Sequence, residues 1–305
     1  MPLSLTGYAF RDRKDSIYAS PILQGMIIFM PTQKLWDVDK GVVMASIRVV
    51  VNGATGKMGT ETVTAICREK GLKLVGATCH RERGNSLPQT GGGEVPLSTN
   101  LEDLLAQTHP EVLVDFTNAA ACMEAASVAA AHSTNMVLGS SGLTEEHLKQ
   151  LDALAHDKNI GIIVAPNFAL GAVVLKKLVE QAAPYFDYVD IVESHHEAKI
   201  DAPSGFALTL ARSIGDQKQF TRNITEKENL PDTRGGEYNG VTIHSIRMPG
   251  RSAHHEVIMG APGQTISLRH DTLGRDCYMP GVIRCIREVV KRPGLVVGLE
   301  NVLGL

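Results

Sequence analysis

The 305-residue sequence is poor in aromatic residues, in long apolar runs and in excess charge. Phe, Trp and Tyr make up 5% of the chain, and the formal net charge is −3 at neutral pH. Because no block of consecutive Lys or Arg residues reaches five residues, the basic patch of a general nucleic-acid binder is missing. The apolar stretch at residues 21–31 is far shorter than the ~20 residues that span a bilayer. We therefore expect a small-molecule ligand, no nucleic-acid partner and no membrane association.

Cysteine is also scarce, and its spacing excludes two kinds of site. The chain has 5 Cys, an odd number, and no C-x-x-C pair of the kind found in zinc or redox motifs. We expect reduced thiols in a cytosol-like compartment. The adjacent pair His254 and His255 falls in a strand pattern without a third ligand at metal-binding spacing, so we predict a position in a sheet and no metal site. The cysteines are Cys67, Cys79, Cys122, Cys277 and Cys285.

The first 43 residues show neither a strand period nor a helix period, and a strong strand pattern starts directly after Ser46. We place the folded start near Ala45. Residues 1–44 are predicted to be an extension that is disordered or loosely packed, or an artefact of start-site choice with Met44 as the initiator.

From residue 47 onward, short β-branched runs alternate with helical stretches of 10 to 15 residues. Continuous apolar strands separated by helices are typical of βαβ crossovers and of a parallel sheet covered on both faces. The sequence therefore predicts an α/β protein whose N-terminal part is a Rossmann-like, doubly wound domain at residues 45–166. The predicted strands begin at residues 47, 72, 112, 136 and 161, and the predicted helices span 57–70, 100–107, 119–132 and 145–158.

After residue 166 the pattern changes to long helices and to strands with a period of two. Helices are predicted over 171–183 and from Ser204, and alternating strands over 189–196 and 242–267. Such alternation favours a mixed or antiparallel sheet. We predict a second, α+β domain at residues 167–274 for substrate binding and oligomerisation. The predicted helix at 280–291 returns to the first domain, which residues 275–305 complete.

A glycine-rich segment follows the first strand and precedes the first helix, which is the context of a phosphate-binding loop. The backbone there approaches a pyrophosphate closely, and the helix N-terminus offers N–H groups to the anion. The spacing is G-x-x-G-x-x-G instead of the commoner G-x-G-x-x-G. The predicted cofactor-binding residues of this loop are Gly53, Ala54, Thr55, Gly56, Lys57, Met58 and Gly59.

The end of the second strand distinguishes the two nicotinamide cofactors. An acidic side chain there holds the ribose 2′-hydroxyl of NADH, whereas Arg accommodates the 2′-phosphate of NADPH. Here His80 occupies that place, and Arg81 and Arg83 supply positive charge. We predict cofactor contacts from His80 and Arg81 and prefer NADPH, with NADH as the alternative; Arg83 is equally compatible with a solvated loop.

The densest group of reactive side chains lies at residues 193–205, after a predicted strand and before a predicted helix. Adjacent His195 and His196 point to opposite sides of a strand, so one can face a substrate, and imidazole suits proton transfer near neutral pH. Lys199 adds a cation or proton donor. Ser204 and Gly205 open a helix, where a hydroxyl and free N–H groups can bind a carboxylate. The cluster predicts a site for a small dianionic molecule.

In this segment the sequence resembles the 4-hydroxy-tetrahydrodipicolinate reductases, also called dihydrodipicolinate reductases. The family motif E-x-H-H-x-x-K-x-D-A-P-S-G-T-A matches residues 193–207, with Phe206 in place of the usual Thr. That exchange removes a hydroxyl which could contact a substrate carboxylate. The resemblance extends over residues 46–305 and includes the phosphate loop, D-F-T at 115–117 and the R-H-D…R-x-x-Y-M-P-G run at 269–281. The family motifs G-[TS]-[TS]-G and A-x-N-F match Gly139, Ser140, Ser141, Gly142 and Ala165, Pro166, Asn167, Phe168.

The resemblance implies reduction of a cyclic imine dicarboxylate in the diaminopimelate route to lysine, with hydride from NADPH or NADH after loss of water. His195 is then the catalytic proton donor or acceptor and Lys199 a second proton donor. His196, Ser204, Gly205 and Phe206 bind substrate, and Gly139, Ser140, Ser141 and residues 165–168 lie at the cofactor. The resemblance also implies a homo-oligomer, commonly a tetramer, in a bacterial cytoplasm or a plastid-like organelle.

Two other functions fit parts of the sequence. Another two-domain reductase, such as an amino-acid or aspartate-semialdehyde type dehydrogenase, would share the fold, because fold alone does not determine the substrate. The semialdehyde type needs a nucleophilic Cys, and none lies in the His-Lys cluster. A dinucleotide-binding sensor would keep the phosphate loop but has no need of His195, His196 and Lys199 together.

Overall fold

The computed structural model describes residues 45–305, which belong to one compact unit of the chain. The predicted extension at 1–44 lies outside the described residues. The strands are β1 (Ile47–Asn52), β2 (Leu72–Thr78), β3 (Ser86–Pro88), β4 (Glu94–Ser98), β5 (Val112–Asp115), β6 (Asn135–Leu138), β7 (Gly161–Val164), β8 (Tyr188–His195), β9 (Gly236–Tyr238), β10 (Val241–Arg247), β11 (Ala253–Ala261), β12 (Gln264–Thr272) and β13 (Gly294–Val297).

The helices alternate with these strands in the first half of the chain and separate them in the second. They are α1 (Lys57–Arg68), α2 (Leu101–Thr108), α3 (Ala119–Ala131), α4 (Glu145–Lys158), α5 (Leu170–Ala182), α6 (Gly205–Gly215), α7 (Met279–Val289) and α8 (Leu299–Leu303), with short 3₁₀ turns at Ala183–Tyr185 and Arg275–Tyr278. Among residues 45–305, none of the helices has the length and apolar content needed to traverse a bilayer.

The first sheet has eight strands in the order β13-β7-β6-β5-β1-β2-β4-β3, all parallel except the edge strand β3. Its central strands are apolar on both faces, and Val50 and Leu113 are completely buried. A strand can be apolar on both faces only when helices cover both sides of the sheet. The predicted Rossmann-like, doubly wound fold is confirmed.

Two apolar clusters flank this sheet. One contains Ile66 of α1 and Ile286 of α7, which pack on the face that carries Val49. The other contains Ala126 of α3 and Leu151 of α4 on the opposite face. α7 packs on the first sheet, and β13 extends the edge of that sheet. The C-terminal residues therefore pack with the N-terminal residues that form the same sheet.

The second sheet has the order β12-β11-β8-β10-β9. β8 and β10 are parallel, whereas the other neighbouring pairs are antiparallel, so the predicted mixed sheet is confirmed. One face packs against α5 and α6 through a third core that includes Leu175, Ile191 and Leu210. The exact boundaries between the two predicted domains stay a prediction.

The sheet register decides which polar side chains meet around β8. His195 lies opposite Arg247 of β10, and Glu193 lies opposite His255 of β11. Directly paired residues project from the same face of a sheet, as do residues two apart on one strand. Glu193, His195, Arg247 and His255 are therefore brought to one face, where the candidate site forms.

Candidate active site

The phosphate loop connects β1 to α1 and adopts a conformation that side chains would block. Gly53 has a φ of +77°, a region that L-residues rarely enter. A Cβ on Gly59 would lie 2.1 Å from the carbonyl oxygen of Gly53. The N-cap of α1 is Gly56, which makes no side-chain hydrogen bond to the first turn. The first N–H groups of α1 are thus without a side-chain cap, as an anion-binding helix terminus requires.

The other predicted cofactor residues lie at the same edge of the sheet. His80 and Arg81 follow β2 and are exposed, Gly139 to Ser141 follow β6, and Ala165 to Phe168 follow β7. These are the carboxyl ends of parallel strands, and the strand order reverses between β1 and β5. Ligands of open α/β sheets bind in the crevice at such a point. The structure brings the predicted residues together, and their individual roles stay predictions.

Asp115, a buried carboxylate that was not predicted as a site residue, holds the polar side chains at this edge of the sheet in place. Asp115 has no exposed surface and ends β5. It accepts hydrogen bonds from Asn52 Nδ2 at 2.6 Å and from Ser140 Oγ at 2.5 Å, and Thr117 Oγ1 lies 2.9 Å away. The side chain of Ser140 therefore points inward, so a contact from Ser140 to a cofactor would use its backbone.

A cleft of about 1060 Å³ runs from this edge to the end of β8. Both sheets contribute to its walls, and its cationic or protonatable groups lie on α5, on the second sheet and on the segments that follow the sheet. Arg275, in the 3₁₀ turn before α7, was part of a matched motif but had no predicted role. The polar and aromatic lining includes Phe116, Asn167, His195, His196, Lys199, Phe206, Arg275 and Tyr278.

His195 is the last residue of β8, and His196 follows it directly. His195 is buried and His196 is exposed, and both reach the cleft. Nδ1 of His195 lies 2.5 Å from Oε2 of Glu193, which is itself fully buried. Burial lowers the pKa of His195 below its ordinary value; Glu193 opposes this shift, and Lys199 adds to it. At neutral pH the imidazole is uncharged.

Lys199 lies on the loop between β8 and α6, with its ammonium 2.6 Å from Oδ1 of Asp201. The hydrogen bond from Lys199 lowers the pKa of Asp201. The carboxylate of Asp201 thus holds the ammonium of Lys199 in the wall of the cleft.

At the start of α6, the Ser204 hydroxyl was predicted to bind a substrate carboxylate, but the structure engages it within the protein. Ser204 is buried, and its Oγ accepts a hydrogen bond from the N–H of Ala207 at 3.3 Å and lies 3.1 Å from Nε2 of His255. Its hydroxyl is engaged by the protein as an N-cap. Phe206 packs edge-on against His255, with ring centroids 4.8 Å apart. Burial lowers the pKa of His255 to about 3, so this imidazole is neutral.

The pair His254 and His255 lies in β11, as predicted, and the two rings have separate partners. Nδ1 of His254 is 2.7 Å from Asp271 Oδ1, whereas His255 faces Ser204. Within residues 45–305, no group of three or more His, Cys, Asp or Glu side chains is placed to share a metal ion.

The fold and the site together define the class of this protein. A doubly wound sheet carries a glycine-lined helix N-terminus, and a second sheet supplies imidazole and ammonium groups to the same cleft. The class is that of nucleotide-dependent oxidoreductases that act on a small anionic molecule.

Comparison with known proteins identifies the family. Residues 47–168 match the model of the dihydrodipicolinate reductase N-terminus, and residues 171–303 match that of the C-terminus. The chain is 45% identical over 263 residues to a 4-hydroxy-tetrahydrodipicolinate reductase of Dehalococcoides mccartyi, covering 86% of this chain and 100% of the relative. A relative of the same name from Synechococcus elongatus is 42% identical, with coverage of 84% and 98%. The chain belongs to the dihydrodipicolinate reductase family, and the predicted resemblance is confirmed.

Solved structures agree with this assignment. A dipicolinate-bound dihydrodipicolinate reductase from Paenisporosarcina sp. TG-14 superposes with a TM-score of 0.77 at 38% identity, covering 84% of this chain and 99% of the other. An amine dehydrogenase from Mycobacterium smegmatis has a TM-score of 0.56 at 18% identity, covering 83% and 95%, and shares the fold alone.

Substitution of Gly59 by Ala tests the phosphate loop. Because the new Cβ would overlap the Gly53 carbonyl oxygen, we expect the loop to be displaced, the Kd for NADPH to rise at least about tenfold, and the free energy of unfolding to fall by about 1–3 kcal/mol. Titration of NADPH by protein fluorescence and urea unfolding measure these effects.

Arg68→Ala is the matched control, because Arg68 is exposed at the far end of the same helix. It should leave both quantities unchanged. A Gly59→Ala protein that binds NADPH as tightly as the wild type would contradict the assignment of the loop.

Proposed function

We propose that this protein reduces 4-hydroxy-tetrahydrodipicolinate to tetrahydrodipicolinate with NADPH or NADH, and that His195 and Lys199 carry the proton transfers. The observation that supports this assignment of roles most strongly is the convergence of a neutral, buried imidazole and an ammonium group on one cleft beside the phosphate loop. The reaction belongs to the diaminopimelate route to lysine, as the family resemblance implies.

The residues at the first sheet fit a dinucleotide. The loop at Gly53 and Gly59 leaves no room for a Cβ where a pyrophosphate would approach, and α1 presents an N-terminus without a side-chain cap. When bound, the nicotinamide supplies the hydride. The protein residues hold the nucleotide, bind the substrate and move protons.

The second sheet supplies the groups that suit a dicarboxylate. The cationic or protonatable side chains that line the cleft beside His195 include Lys176, His196, Lys199 and Arg275. Gly205 opens α6, where the first backbone N–H groups attract an anion. Phe206 provides an apolar ring surface where the family motif has a hydroxyl, so we assign carboxylate recognition to the amides and the cations.

The two proton-transfer groups have different protonation states. Neutral His195 accepts a proton when water leaves the substrate and returns it to the ring after hydride addition. Lys199 is an ammonium ion paired with Asp201, and it donates the proton that the leaving hydroxyl takes. One hydride and one proton are gained for each water molecule lost. Placement of both groups in one cleft lowers the entropic cost of these steps.

We infer a preference for NADPH from Arg81 and Arg83, which follow β2 without an acidic residue in the place of the ribose ligand. Both side chains are exposed and free to approach a 2′-phosphate. A guanidinium binds phosphate by charge and by paired N–H donors.

We also propose that the protein works as a homo-oligomer, a tetramer by family resemblance, in the cytoplasm of a bacterial cell. The second sheet exposes large apolar side chains on one face, with Tyr188 on β8 and Ile246 on the neighbouring β10, and exposed apolar surface favours association. The five cysteines are unpaired, which suits a reducing compartment, and the relatives above are bacterial.

Substitutions at His195 and Lys199 test the reaction and the roles together. We expect His195→Gln and Lys199→Ala to lower kcat by about 10²- to 10⁴-fold, because each removes a positioned proton-transfer group. Affinity for NADPH should stay unchanged. The measurement is NADPH consumption with substrate generated in place from pyruvate and aspartate semialdehyde.

Glu197→Ala is the control, since Glu197 is exposed and two residues away from each of the tested positions. It should retain wild-type activity. Full activity in either His195→Gln or Lys199→Ala would remove that residue from the mechanism, and an inert wild type that still binds NADPH would favour another reductase or a sensor.

Arg81→Ala tests the cofactor preference. Removal of the cation should raise KM for NADPH about tenfold or more and leave KM for NADH unchanged, because only NADPH carries the 2′-phosphate. Equal effects on the two cofactors would show that Arg81 does not contact that phosphate. Arg68→Ala again serves as the control.

A further inference from the structure

Glu193 is a fully buried carboxylate at the centre of the second sheet's polar face. Burial alone would raise its pKa, but hydrogen bonds from Arg247, Ser245, His195 and Ser204 outweigh burial and lower the pKa to about 2. Glu193 is therefore ionised at neutral pH, and an ionised carboxylate accepts hydrogen bonds without donating any.

Arg247 of β10 neutralises this carboxylate through a two-point contact. Its Nη1 lies 2.9 Å from Oε2 and its Nη2 lies 2.8 Å from Oε1 of Glu193. Paired contacts between a guanidinium and a carboxylate fix the plane of both groups. The carboxylate of Glu193 is consequently held in one orientation within the sheet.

The remaining lone pairs of Glu193 reach two parts of the site. Oε2 accepts from Nδ1 of His195, and Oε1 accepts from the backbone N–H of Ser204 at 3.1 Å. Arg247 Nη2 also donates to the carbonyl oxygen of Asp201 at 2.6 Å. One ion pair thus holds the His195 ring and both ends of the short segment that follows Lys199.

We propose that Glu193 and Arg247 form a positioning pair that holds His195 in the Nδ1–H tautomer and directs the Nε2 lone pair to the substrate, while anchoring the segment next to Lys199. The inference rests on the proposed role of His195 in proton transfer. Since Glu193 can only accept, Nδ1 must carry the imidazole proton, and Nε2 is the nitrogen left for the reaction. Neither Glu193 nor Arg247 had a role predicted from the sequence.

Five charged or titratable groups surround His195. Glu193 lies on the same strand, Arg247 on β10 and His255 on β11, with ring centroids of the two histidines 5.3 Å apart. Lys199 and Asp201 lie on the following loop. His255 is neutral, so Glu193 on one side and Arg247 with Lys199 on the other set the charge balance at His195.

This balance predicts opposite shifts in two variants. Activity requires neutral His195, so kcat/KM of the wild type falls as the pH drops through the His195 pKa. Glu193 raises that pKa and Arg247 lowers it. Glu193→Gln should move the acid limb of the pH profile to lower pH, and Arg247→Met should move it to higher pH.

The variants should also differ from the wild type in kcat. A neutral amide at Glu193 no longer selects one tautomer, so Glu193→Gln should lower kcat about 10²- to 10⁴-fold with little change in the Kd for NADPH. Glu193→Asp, which keeps the charge, should recover part of the loss. Arg247→Lys keeps the cation but lacks the two-point contact, so it should lower kcat while the acid limb moves less than in Arg247→Met. Glu197→Gln and Arg251→Met, at exposed positions, are the matched controls.

Imidazole ¹⁵N NMR tests the same inference without turnover. With the His195 signals identified by their loss in His195→Gln, the wild type should show the Nδ1–H tautomer and Glu193→Gln a mixture. An Nε2–H tautomer in the wild type, or a Glu193→Gln protein with an unchanged tautomer and acid limb, would overturn the proposal. An inactive wild type with the expected tautomer would instead refute the proposed function and leave the positioning pair intact.

Discussion

The two-point ion pair between Glu193 and Arg247 is the interaction on which the candidate site depends. A buried carboxylate is tolerated only when its charge is neutralised and its lone pairs are filled. Glu193 meets this condition with Arg247, His195 and the Ser204 amide. The contacts that make the buried charge tolerable are also the contacts that orient the imidazole and the loop of Lys199. Stability of the sheet and geometry of the site therefore have the same physical origin.

The two sheets have different roles: the first suits nucleotide binding, and the second supplies the ionisable groups. The first sheet offers backbone N–H groups and close approach at the carboxyl ends of its strands, which suits an anionic nucleotide, and the buried carboxylate of Asp115 fixes side chains at that edge. The second sheet places ionisable groups on one face of long, alternating strands. The cleft between the two brings the edge predicted to bind the nucleotide next to protonatable groups.

Much of this architecture could be predicted from the sequence, because the determining signals are local. Continuous apolar runs indicated the parallel strands, and the predicted helices match the observed ones closely, as for 145–158 and Glu145–Lys158. The short strands β3 and β9 carry too few residues for a period. The partners Arg247 and His255 lie 54 and 62 residues after Glu193, and only the pairing of β10 and β11 with β8 brings them together. Asp115 was not predicted as a site residue because a carboxylate that ends a strand is ordinarily exposed.

The proposed site is tested most directly by a crystal structure of the protein with NADP⁺ and pyridine-2,6-dicarboxylate, a planar mimic of the substrate. We expect the dicarboxylate in the cleft against Lys199 and the α6 amides, with His195 Nε2 within hydrogen-bond reach and the dicarboxylate ring ~3–3.5 Å from the nicotinamide. The phosphates should lie at the loop of Gly53 and Gly59. A dicarboxylate bound away from Lys199, or a nucleotide bound away from the β1–α1 turn, would contradict the proposed site.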